Sequence, residues 1–475
     1  MNEVAFPVGD PRRLGAFIAA DRLESLLDLG EHLRQALGGA AVVCVNSTAS
    51  GGGVAEMLQM LLRYVRGVGI DVRWLVIDGD ERFYAITKRI HNHLHGFAGD
   101  GGPLGEDEQR HYQDVLQANA AQLANAVRPG DIVLVHDPQP AGLIGAMRQR
   151  GARLVWRCHV GTDTPNECTE IGWEFLRPHL EPPAADRYVF TRKHFAPSWI
   201  PEDLITEIPP SIDPFSPKNQ ELSENDTRAI LSSVGLIAGD RRHAEYRRSD
   251  GTMRRINRGV DLVRTGPAAD PHVPLVVQVS RWDRLKDMRG VLQGFAEYVV
   301  GDHNTQLVLA GPVVSAVTDD PEGAQMLQEC WEAWRRLPHH ARSRIALACV
   351  PMADLEENAV IVNALQRHAS VVVQKSIAEG FGLTVSEAMF KRRAVVASAV
   401  GGITEQIVDG ESGVLLKDPA DFTAFADTLS ALLADSERLA ELGARAHERV
   451  VDRFLPDSHL TRWGAVVAAL LEQRG

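Results

Sequence analysis

Two glutamates and two glycines lie close together in the segment Glu379-Gly-Phe-Gly-Leu-Thr-Val-Ser-Glu387. The glycines leave the backbone N–H groups of residues 381–383 uncovered at the start of a predicted helix, where such groups bind anions. Glu379 and Glu387 can accept hydrogen bonds from hydroxyl groups. The motif therefore predicts a site for a phosphate beside sugar hydroxyls. Carboxylates that only cap a helix or pair with other charges are the structural alternative.

A second loop carries two cations five residues apart, Arg281 and Lys286. The loop directly follows a predicted strand at residues 275–279. A guanidinium can bind a diphosphate through two hydrogen bonds, and an ammonium group adds a point charge. The pair therefore favours diphosphate binding, with an ordinary solvated loop as the alternative interpretation.

The N-terminal half offers two further candidates, each after a predicted strand. Gly51, Gly52 and Gly53 follow a strand at residues 41–45 and precede a helical pattern, so the backbone there can approach a ligand closely. A tight turn would need the same glycines. His159 follows a strand at residues 153–156, at the strand end where α/β sheets bind ligands, although a structural histidine is equally compatible.

Two patterns raise the question of a bound metal. The triplet Asp78-Gly79-Asp80 resembles a metal-binding D-x-D motif, and His91, His93 and His95 occupy alternate positions along the chain. Acidic triplets are frequent by chance in an acidic chain, and no strand pattern surrounds the histidines. We therefore predict that the protein uses no metal and no resident cofactor.

Composition excludes several classes of protein. Of the 475 residues, 44% are hydrophobic and 24% are charged, which is ordinary for a globular chain. The net charge of −13 argues against general binding of nucleic acid or anionic membranes. The five cysteines form no C-x-x-C pair, which fits a reducing compartment. Neither a signal peptide nor an apolar run of about 18 residues is recognisable, so a cytoplasmic location is expected.

Short apolar strands alternate with longer helical patterns, which predicts an α/β fold with doubly wound parallel sheets. Two regular halves flank an irregular segment at residues 211–274. Within it, the arginine-rich residues 241–260 predict a linker with a polar hairpin or loop, turning at Asp250-Gly251. The predicted division is an N-terminal domain with the linker over residues 1–265, a second domain over 266–455 and a last helix over 456–475.

Together, the glutamate motif at residues 379–387 and the cationic loop at residues 280–286 resemble the retaining GT-B glycosyltransferases. Gly401-Gly402 and the turn Asp409-Gly410-x-x-Gly413 fit the same pattern, as does the glycine loop at residues 51–53. The resemblance implies two Rossmann-like domains that face a central cleft. It places the nucleotide sugar on the second domain and returns the last helix to the first.

A narrower resemblance lies in the first half. The segments Trp156-Arg-Cys-His159, Val189-Phe-Thr191, Ile208-Pro-Pro-Ser-Ile-Asp-Pro214 and Ser216-Pro-Lys-Asn219 are similar to the trehalose synthase and trehalose phosphorylase branch. This branch implies transfer of glucose from a nucleoside-diphosphate glucose to glucose, with an α,α-1,1 linkage. A phosphorylase that uses phosphate, or a retaining GT-B enzyme with another acceptor, are the alternatives. The arginine-rich stretch departs from the pattern of the branch.

The resemblance also implies a front-face reaction, in which the acceptor enters on the face from which the diphosphate leaves. The ligands would be a nucleotide sugar and a small sugar acceptor, without nucleic acid or membrane, and a homodimer is compatible. The resemblance implies that Arg281 and Lys286 neutralise the diphosphate, that Glu379 binds a glucosyl hydroxyl and that Glu387 binds the ribose. It implies that the backbone of Phe381, Gly382 and Leu383 binds a sugar or phosphate and that His159 contacts the donor sugar. Gly52 and Gly53 would allow the N-terminal loop to close.

Two other classes of function remain open on the sequence. A nicotinamide oxidoreductase would share the alternation of strands and helices, but the chain lacks a G-x-G-x-x-G motif after a strand. A non-catalytic nucleotide-sugar sensor would share the binding residues. NADH absorbance tests the first, and binding without turnover would indicate the second.

Overall fold

The computed structural model describes residues 1–49, 53–240, 244–298, 304–314 and 321–472. The chain folds as two compact units, one of Met1–Ile212 with Asp452–Gly475 and the other of Asp213–Val451. Residues 213–265 thus belong to the second unit, whereas the sequence predicts a boundary at residue 265. The reason is that a helix and a strand from this segment pack within the second unit, as described below.

A seven-stranded sheet forms the centre of the first unit, in the order β1-β3-β2-β4-β5-β6-β7. Neighbouring strands are parallel, except that β1 is antiparallel to β3. Helices cover both faces of such a sheet, which is why its strands are almost continuously apolar. The strands are β1 (Asn2–Glu3), β2 (Val42–Asn46), β3 (Val72–Val76), β4 (Ile132–His136), β5 (Arg153–Cys158), β6 (Arg187–Phe190) and β7 (Ile205–Glu207).

Two hydrophobic cores lie on opposite faces of this sheet. Alternate residues of β2 point to opposite faces, so Val43 and Val45 join one core while Val42 and Cys44 join the other. Strand β2 therefore anchors both layers of helices. The helices of the first 212 residues are α1 (Ala20–Leu37), α2 (Gly53–Gly67), α3 (Glu81–Leu94), α4 (Glu106–Ala126), α5 (Ile144–Gln149) and α6 (Glu167–Leu180).

The second unit opens with short elements in the segment that the sequence predicts to be a linker. They are helix α7 (Glu224–Ser233) and strands β8 (Glu245–Arg247), β9 (Met253–Arg255) and β10 (Asp261–Val263). Strands β8 and β9 form an antiparallel hairpin, and Gly251 has a φ of 85° at its turn. The predicted polar hairpin is therefore confirmed. Residues 241–243 of the arginine-rich stretch lie outside the described residues.

The second unit contains a further seven-stranded sheet, in the order β10-β13-β12-β11-β14-β15-β16. Neighbouring strands are parallel, except that β10 is antiparallel to β13. The strand order reverses between β11 and β14, and ligands bind at such a switch point in open α/β sheets. The remaining strands are β11 (Leu275–Val279), β12 (Gln306–Pro312), β13 (Ile345–Val350), β14 (Val371–Gln374), β15 (Ala394–Ser398) and β16 (Val414–Leu416).

Residues 422–451 show a helical pattern, and they form two helices in place of one. The helix breaks after Leu433, because the carboxylate of Asp435 accepts a hydrogen bond from the backbone N–H of Arg438 and starts a new helix. The helices of the sheet region are α8 (Met288–Tyr298), α9 (Pro321–Arg336), α10 (His339–Arg342), α11 (Leu355–His368), α12 (Leu383–Phe390), α13 (Ile403–Gln406), α14 (Phe422–Leu433) and α15 (Ser436–Arg453).

Ion pairs tie the arginine-rich hairpin to the first turn of α11. The guanidinium of Arg248 lies 2.7 Å from Asp354 and 2.6 Å from Glu356. The buried carboxylate of Glu357 contacts the side chain and backbone N–H of Arg258. These contacts, together with α7 packing on α11, hold residues 213–265 in the second unit.

The last helix, α16 (Pro456–Glu472), packs against α1 of the first unit. Val466, Val467 and Leu470 join one of the two cores of that unit. Gly464 permits the contact, since a Cβ there would lie 2.6 Å from a methyl group of Leu29. Among the described residues, no helix is long and apolar enough to cross a membrane.

Candidate functional site

The switch point of the second sheet brings together the loops that follow β11 and β14. The backbone N–H of Ile377 donates to the carbonyl of Leu285 at 2.8 Å. The side chain of Gln278, buried at the end of β11, donates to the carbonyl of Lys286 at 2.7 Å and accepts from the N–H of Lys375 at 3.1 Å. These three hydrogen bonds fix the cationic loop against the loop that carries the first glutamate.

Two predicted site residues, Lys286 and Glu379, meet across these loops. Nζ of Lys286 lies 2.5 Å from Oε2 of Glu379, and Ser376 Oγ lies 3.4 Å from the same oxygen. The two side chains are 17% and 10% exposed. The pair therefore presents one cation and one carboxylate at the edge of the switch point.

A second ion pair joins the same two loops, and sequence reasoning missed it. Lys375 is fully buried, contacts the carboxylate of Asp287 and has its Nζ 4.9 Å from the ring centre of Phe422. Asp287 has a φ of 48°, a left-handed conformation that costs energy in a residue with a side chain. Each loop thus contributes one cation and one carboxylate. The position of Lys375 directly after a strand is the signal that could have identified it.

Arg281, the other predicted cation, lies on the same loop as Lys286. Its Nη2 is 3.1 Å from Oδ2 of Asp283, and its side chain is 45% exposed. Asp283 also accepts from the N–H of Leu285 at 2.8 Å and so starts the short turn that ends at Lys286. The loop therefore holds Arg281 near solvent, where a ligand can reach it.

Glycines Gly401 and Gly402 press against the glutamate–glycine loop. A Cβ at Gly401 would lie 1.6 Å from the carbonyl oxygen of Glu379, and one at Gly402 would lie 2.7 Å from that of Gly380. No residue other than glycine fits at either position, because its side chain would clash with the backbone of the glutamate–glycine loop. The sequence pattern at residues 401–402 thus has a direct structural cause.

The backbone of this loop has a defined direction. The carbonyls of Gly380, Phe381 and Gly382 accept hydrogen bonds from Gly402 N–H at 3.2 Å and from Nε2 of Gln406 at 2.5 and 3.3 Å. In a trans peptide the N–H points away from the carbonyl. The N–H groups of the same three peptides, those of residues 381–383, therefore point away from α13. Gly382, with a φ of 84°, then starts α12 at Leu383.

The second glutamate, Glu387, lies inside α12 and is buried. Nζ of Lys218 approaches its Oε1 at 3.6 Å. One helical turn later, Nζ of the fully buried Lys391 donates to Asn219 Oδ1 at 2.8 Å, Gln366 Oε1 at 2.9 Å and the Glu387 carbonyl at 3.1 Å. Burial lowers the pKa of Lys391 to about 7. Sequence reasoning gave neither lysine a role.

In the first unit, His159 directly follows β5 and lies beside His136 and Asp137 at the end of the neighbouring strand β4. Nε2 of His159 lies 3.2 Å from Nδ1 of His136, and the two rings stack. The backbone N–H of His159 donates to Asp137 Oδ1 at 2.7 Å, and Asp137 has a φ of 69°. The histidine predicted from its strand-end position is therefore fixed by the last residue of β4 and the residue that follows it, which the same signal would have indicated.

A fully buried arginine, Arg157, adds a positive charge beside His136, Asp137 and His159. Nη2 of Arg157 lies 3.4 Å from Thr191 Oγ1, while its Nε and Nη1 have no hydrogen-bond partner among the described residues. Burial and this cation keep the pKa of His159 well below its usual value and lower that of His136 to about 3. Burial raises the pKa of Asp137 to about 7. Both imidazoles are therefore neutral at pH 7.

Of the three glycine candidates of the first half, only Gly53 lies within the described residues. It is the first residue of α2, and Gly51 and Gly52 lie outside the described residues. The predicted loop closure therefore stays a prediction.

The two metal-like patterns have local structural roles. Asp80 caps α3 by accepting from the N–H of Phe83 at 2.7 Å, and it also contacts His111 Nε2 at 2.9 Å. His91 and His93 lie on helix α3, and His93 contacts the Arg89 carbonyl at 3.0 Å. Within the part of the chain that the structure describes, no three His, Cys, Asp or Glu side chains form a potential metal site.

Family models of known proteins match both halves of the chain. The family model for the N-terminal domain of trehalose synthase matches residues 44–197, and that for group 1 glycosyl transferases matches residues 264–449. The chain is 35% identical to the trehalose synthase of Thermococcus litoralis over 466 residues, 98% of each protein. It is 23% identical to the trehalose phosphorylase of Pleurotus pulmonarius over 483 residues, 96% of this chain and 60% of that protein.

The solved structure of an α,α-trehalose 6-phosphate synthase from Burkholderia multivorans has the same fold. Its TM-score is 0.65 at 16% identity, with 92% of this chain and 99% of that one covered. The predicted α/β fold with two Rossmann-like units is thereby confirmed as GT-B. The chain is therefore a hexosyltransferase that catalyses a trehalose-related glycosyl transfer, and it belongs to the trehalose synthase branch of the GT-B glycosyltransferases.

Proposed function

We propose that this enzyme transfers glucose from a nucleoside-diphosphate glucose to free glucose and forms trehalose with retention at the donor carbon. The observation that supports this most strongly is the Lys286–Glu379 pair at the switch point, next to N–H groups that point away from α13. A cation and N–H donors suit a diphosphate, and a carboxylate suits a sugar hydroxyl.

In the proposed reaction the protein supplies position and charge. Lys286 and Arg281 neutralise the diphosphate as its bond to the glucosyl carbon breaks, and the N–H groups of residues 381–383 bind the sugar or phosphate. Glu379 holds a glucosyl hydroxyl. The acceptor hydroxyl enters on the face from which the diphosphate leaves, and a phosphate oxygen takes its proton. These two side-chain cations neutralise the diphosphate in place of a metal ion, so no metal ion is proposed. His159 stays the predicted contact of the donor sugar.

A synthase is proposed over a phosphorylase for two reasons. The trehalose synthase relative matches this chain over almost its whole length, whereas the chain spans 60% of the phosphorylase. Glu387 also gives the site a buried carboxylate suited to the hydroxyls of a ribose, which only a nucleotide donor carries. The phosphorylase reaction and a different acceptor are the alternatives. No nucleic acid or membrane partner is proposed, and a homodimer is compatible.

The test is a comparison of three incubations of the full chain. One contains glucose with each nucleoside-diphosphate glucose in turn, the second trehalose with phosphate, and the third each nucleotide sugar with other small sugars. Proton NMR identifies the products and the anomeric configuration. We expect α,α-trehalose in the first incubation. Glucose 1-phosphate only in the second would establish the phosphorylase, and a product only in the third would establish another acceptor.

A further inference from the structure

The segment that opens the second unit is held rigidly against α11. Nδ2 of Asn363 donates to the carbonyls of Pro217 at 3.0 Å and Gln220 at 2.8 Å. Nη2 of Arg367 donates to the carbonyls of Asn219 at 3.1 Å and Gln220 at 3.0 Å. The backbone on both sides of Lys218 is therefore fixed, although the segment has no regular secondary structure.

Lys218 lies beside the carboxylate that the proposed function assigns to ribose. Its Nζ is 3.6 Å from Glu387 Oε1, and the two side chains are 24% and 6% exposed. A carboxylate with so little access to water needs a nearby cation or hydrogen-bond donors to stay ionised. Lys218 provides that charge from a position that still reaches solvent.

Lys391, the other lysine near Glu387, does not provide the same contact. It directly follows α12, and its Nζ donates to three neutral oxygens, those of Asn219, Gln366 and the Glu387 backbone. Its charge also acts on the Glu387 carboxylate through space. Lys391 thus fastens the segment of Lys218 to the end of α12, and Lys218 places a cation directly beside the carboxylate.

We propose that Lys218 is a positioning residue for the donor nucleotide. It holds the Glu387 carboxylate ionised and oriented so that the carboxylate accepts from the ribose hydroxyls. The site would then select ribonucleotides over 2′-deoxyribonucleotides. This inference rests on the proposed function, because it needs a nucleotide donor whose ribose reaches Glu387.

The experiment measures binding of two ligands to the full chain by calorimetry. They are the nucleoside diphosphate released from the accepted donor and its 2′-deoxy analogue. We expect the wild-type protein to bind the analogue about tenfold or more weakly, as for loss of one hydrogen bond to a charged group. In Lys218→Met, the diphosphate should bind about tenfold more weakly and the two ligands about equally.

Three controls separate positioning from a merely structural role. Lys218→Arg should keep the preference for ribose, because a cation remains beside Glu387. Lys88→Met, at an exposed position on α3, should behave as wild type. Lys218→Met should raise the donor KM with kcat nearly unchanged, and its melting temperature should stay close to wild type.

The possible failures are distinguishable. If Lys218→Met keeps the wild-type affinities and their ratio, the role of Lys218 is wrong while the proposed function stands. If the wild-type protein binds both ligands equally, the ribose role of Glu387 is wrong and so is the inference. If it binds no nucleoside diphosphate at all, the proposed function fails as well.

Discussion

Nζ of Lys286 lies 2.5 Å from the carboxylate of Glu379, although the two residues are 93 positions apart in the chain. Each side chain is thus oriented by the other before a ligand arrives. Charged groups that are already oriented cost little reorganisation when the transition state forms. The pair gives a physical basis for several predictions.

Removal of either cation should impair the reaction without unfolding the protein. Lys286→Ala and Arg281→Ala should each cost about 2–4 kcal/mol of transition-state stabilisation, because each removes a preorganised charge at the diphosphate. Steady-state kinetics and thermal melting measure the two effects, with Lys88→Ala as an exposed control. A variant with normal kcat/KM and a much lower melting temperature would show that the residue is structural.

The two glutamates should fail in different ways. Glu379→Gln should chiefly lower kcat, because the glucosyl group next to it gains positive charge only in the transition state. Glu387→Gln should chiefly raise the donor KM, because ribose is remote from the bond that breaks. Initial rates over a range of donor concentrations separate the two parameters. Loss of kcat in Glu387→Gln alone would reverse the assignment.

The buried pair of Lys375 and Asp287 should act as a unit. Lys375→Met leaves the Asp287 carboxylate without its cation in a largely buried position, which should cost about 3–5 kcal/mol in the free energy of unfolding. The double variant Lys375→Met with Asp287→Asn should recover much of that loss, since neither charge remains. Urea unfolding of the four proteins tests this. Additive losses in the double variant would show that the pair is not coupled.

Stability should fall as the pH drops below about 6.5, the usual pKa of histidine. Burial keeps the pKa values of His136, of His159 and of His459, a buried residue of α16, far below it. Below this pH the unfolded chain therefore binds protons that the folded chain does not. Each histidine contributes a slope of about 1.4 kcal/mol per pH unit. The raised pKa of Asp137 opposes one of the three slopes, because its folded form keeps a proton that the unfolded form releases.

Unfolding by urea between pH 8 and pH 5 measures this dependence. His459→Gln should give a shallower dependence than wild type by one proton. His32→Gln, at an exposed position on α1, is the matched control and should leave the slope unchanged. An unchanged slope in His459→Gln would mean that this imidazole titrates in the folded protein.

Activity should survive removal of divalent metal, because the proposed function assigns neutralisation of the diphosphate to Arg281 and Lys286. An excess of EDTA should leave most of the initial rate intact. Loss of activity with EDTA and its recovery with Mg²⁺ or Mn²⁺ would contradict this prediction and would support a metal site at Asp78-Gly79-Asp80.

The strands were predictable from the sequence because buried parallel strands are continuously apolar. Strands β2 and β11 follow that rule and lie within a residue of their predicted positions, residues 41–45 and 275–279. Strand β10 and helix α7 were not identified, because each is short and partly exposed and is held by packing against distant elements, β13 and α11. Propensity alone carries no information about such contacts.

The candidate site was predictable in its residue types but not in its pairings. Position after a strand and the glycine spacing indicated Arg281, Lys286, Glu379 and Glu387. The partners Lys375 and Lys218 were missed, since position after a strand does not show that a lysine is buried and paired, and a lysine in a proline-rich segment normally faces solvent. Only the tertiary structure shows that the first is fully buried and that the second approaches a carboxylate.

The first unit is interrupted in sequence by the whole of the second. During translation, helix α16 leaves the ribosome only after all of the second unit has been made. Until then the core that receives Val466, Val467 and Leu470 is open on the side of α1. The second unit, continuous in sequence, can fold first, while the nascent first unit exposes an apolar face that is open to aggregation or to a chaperone.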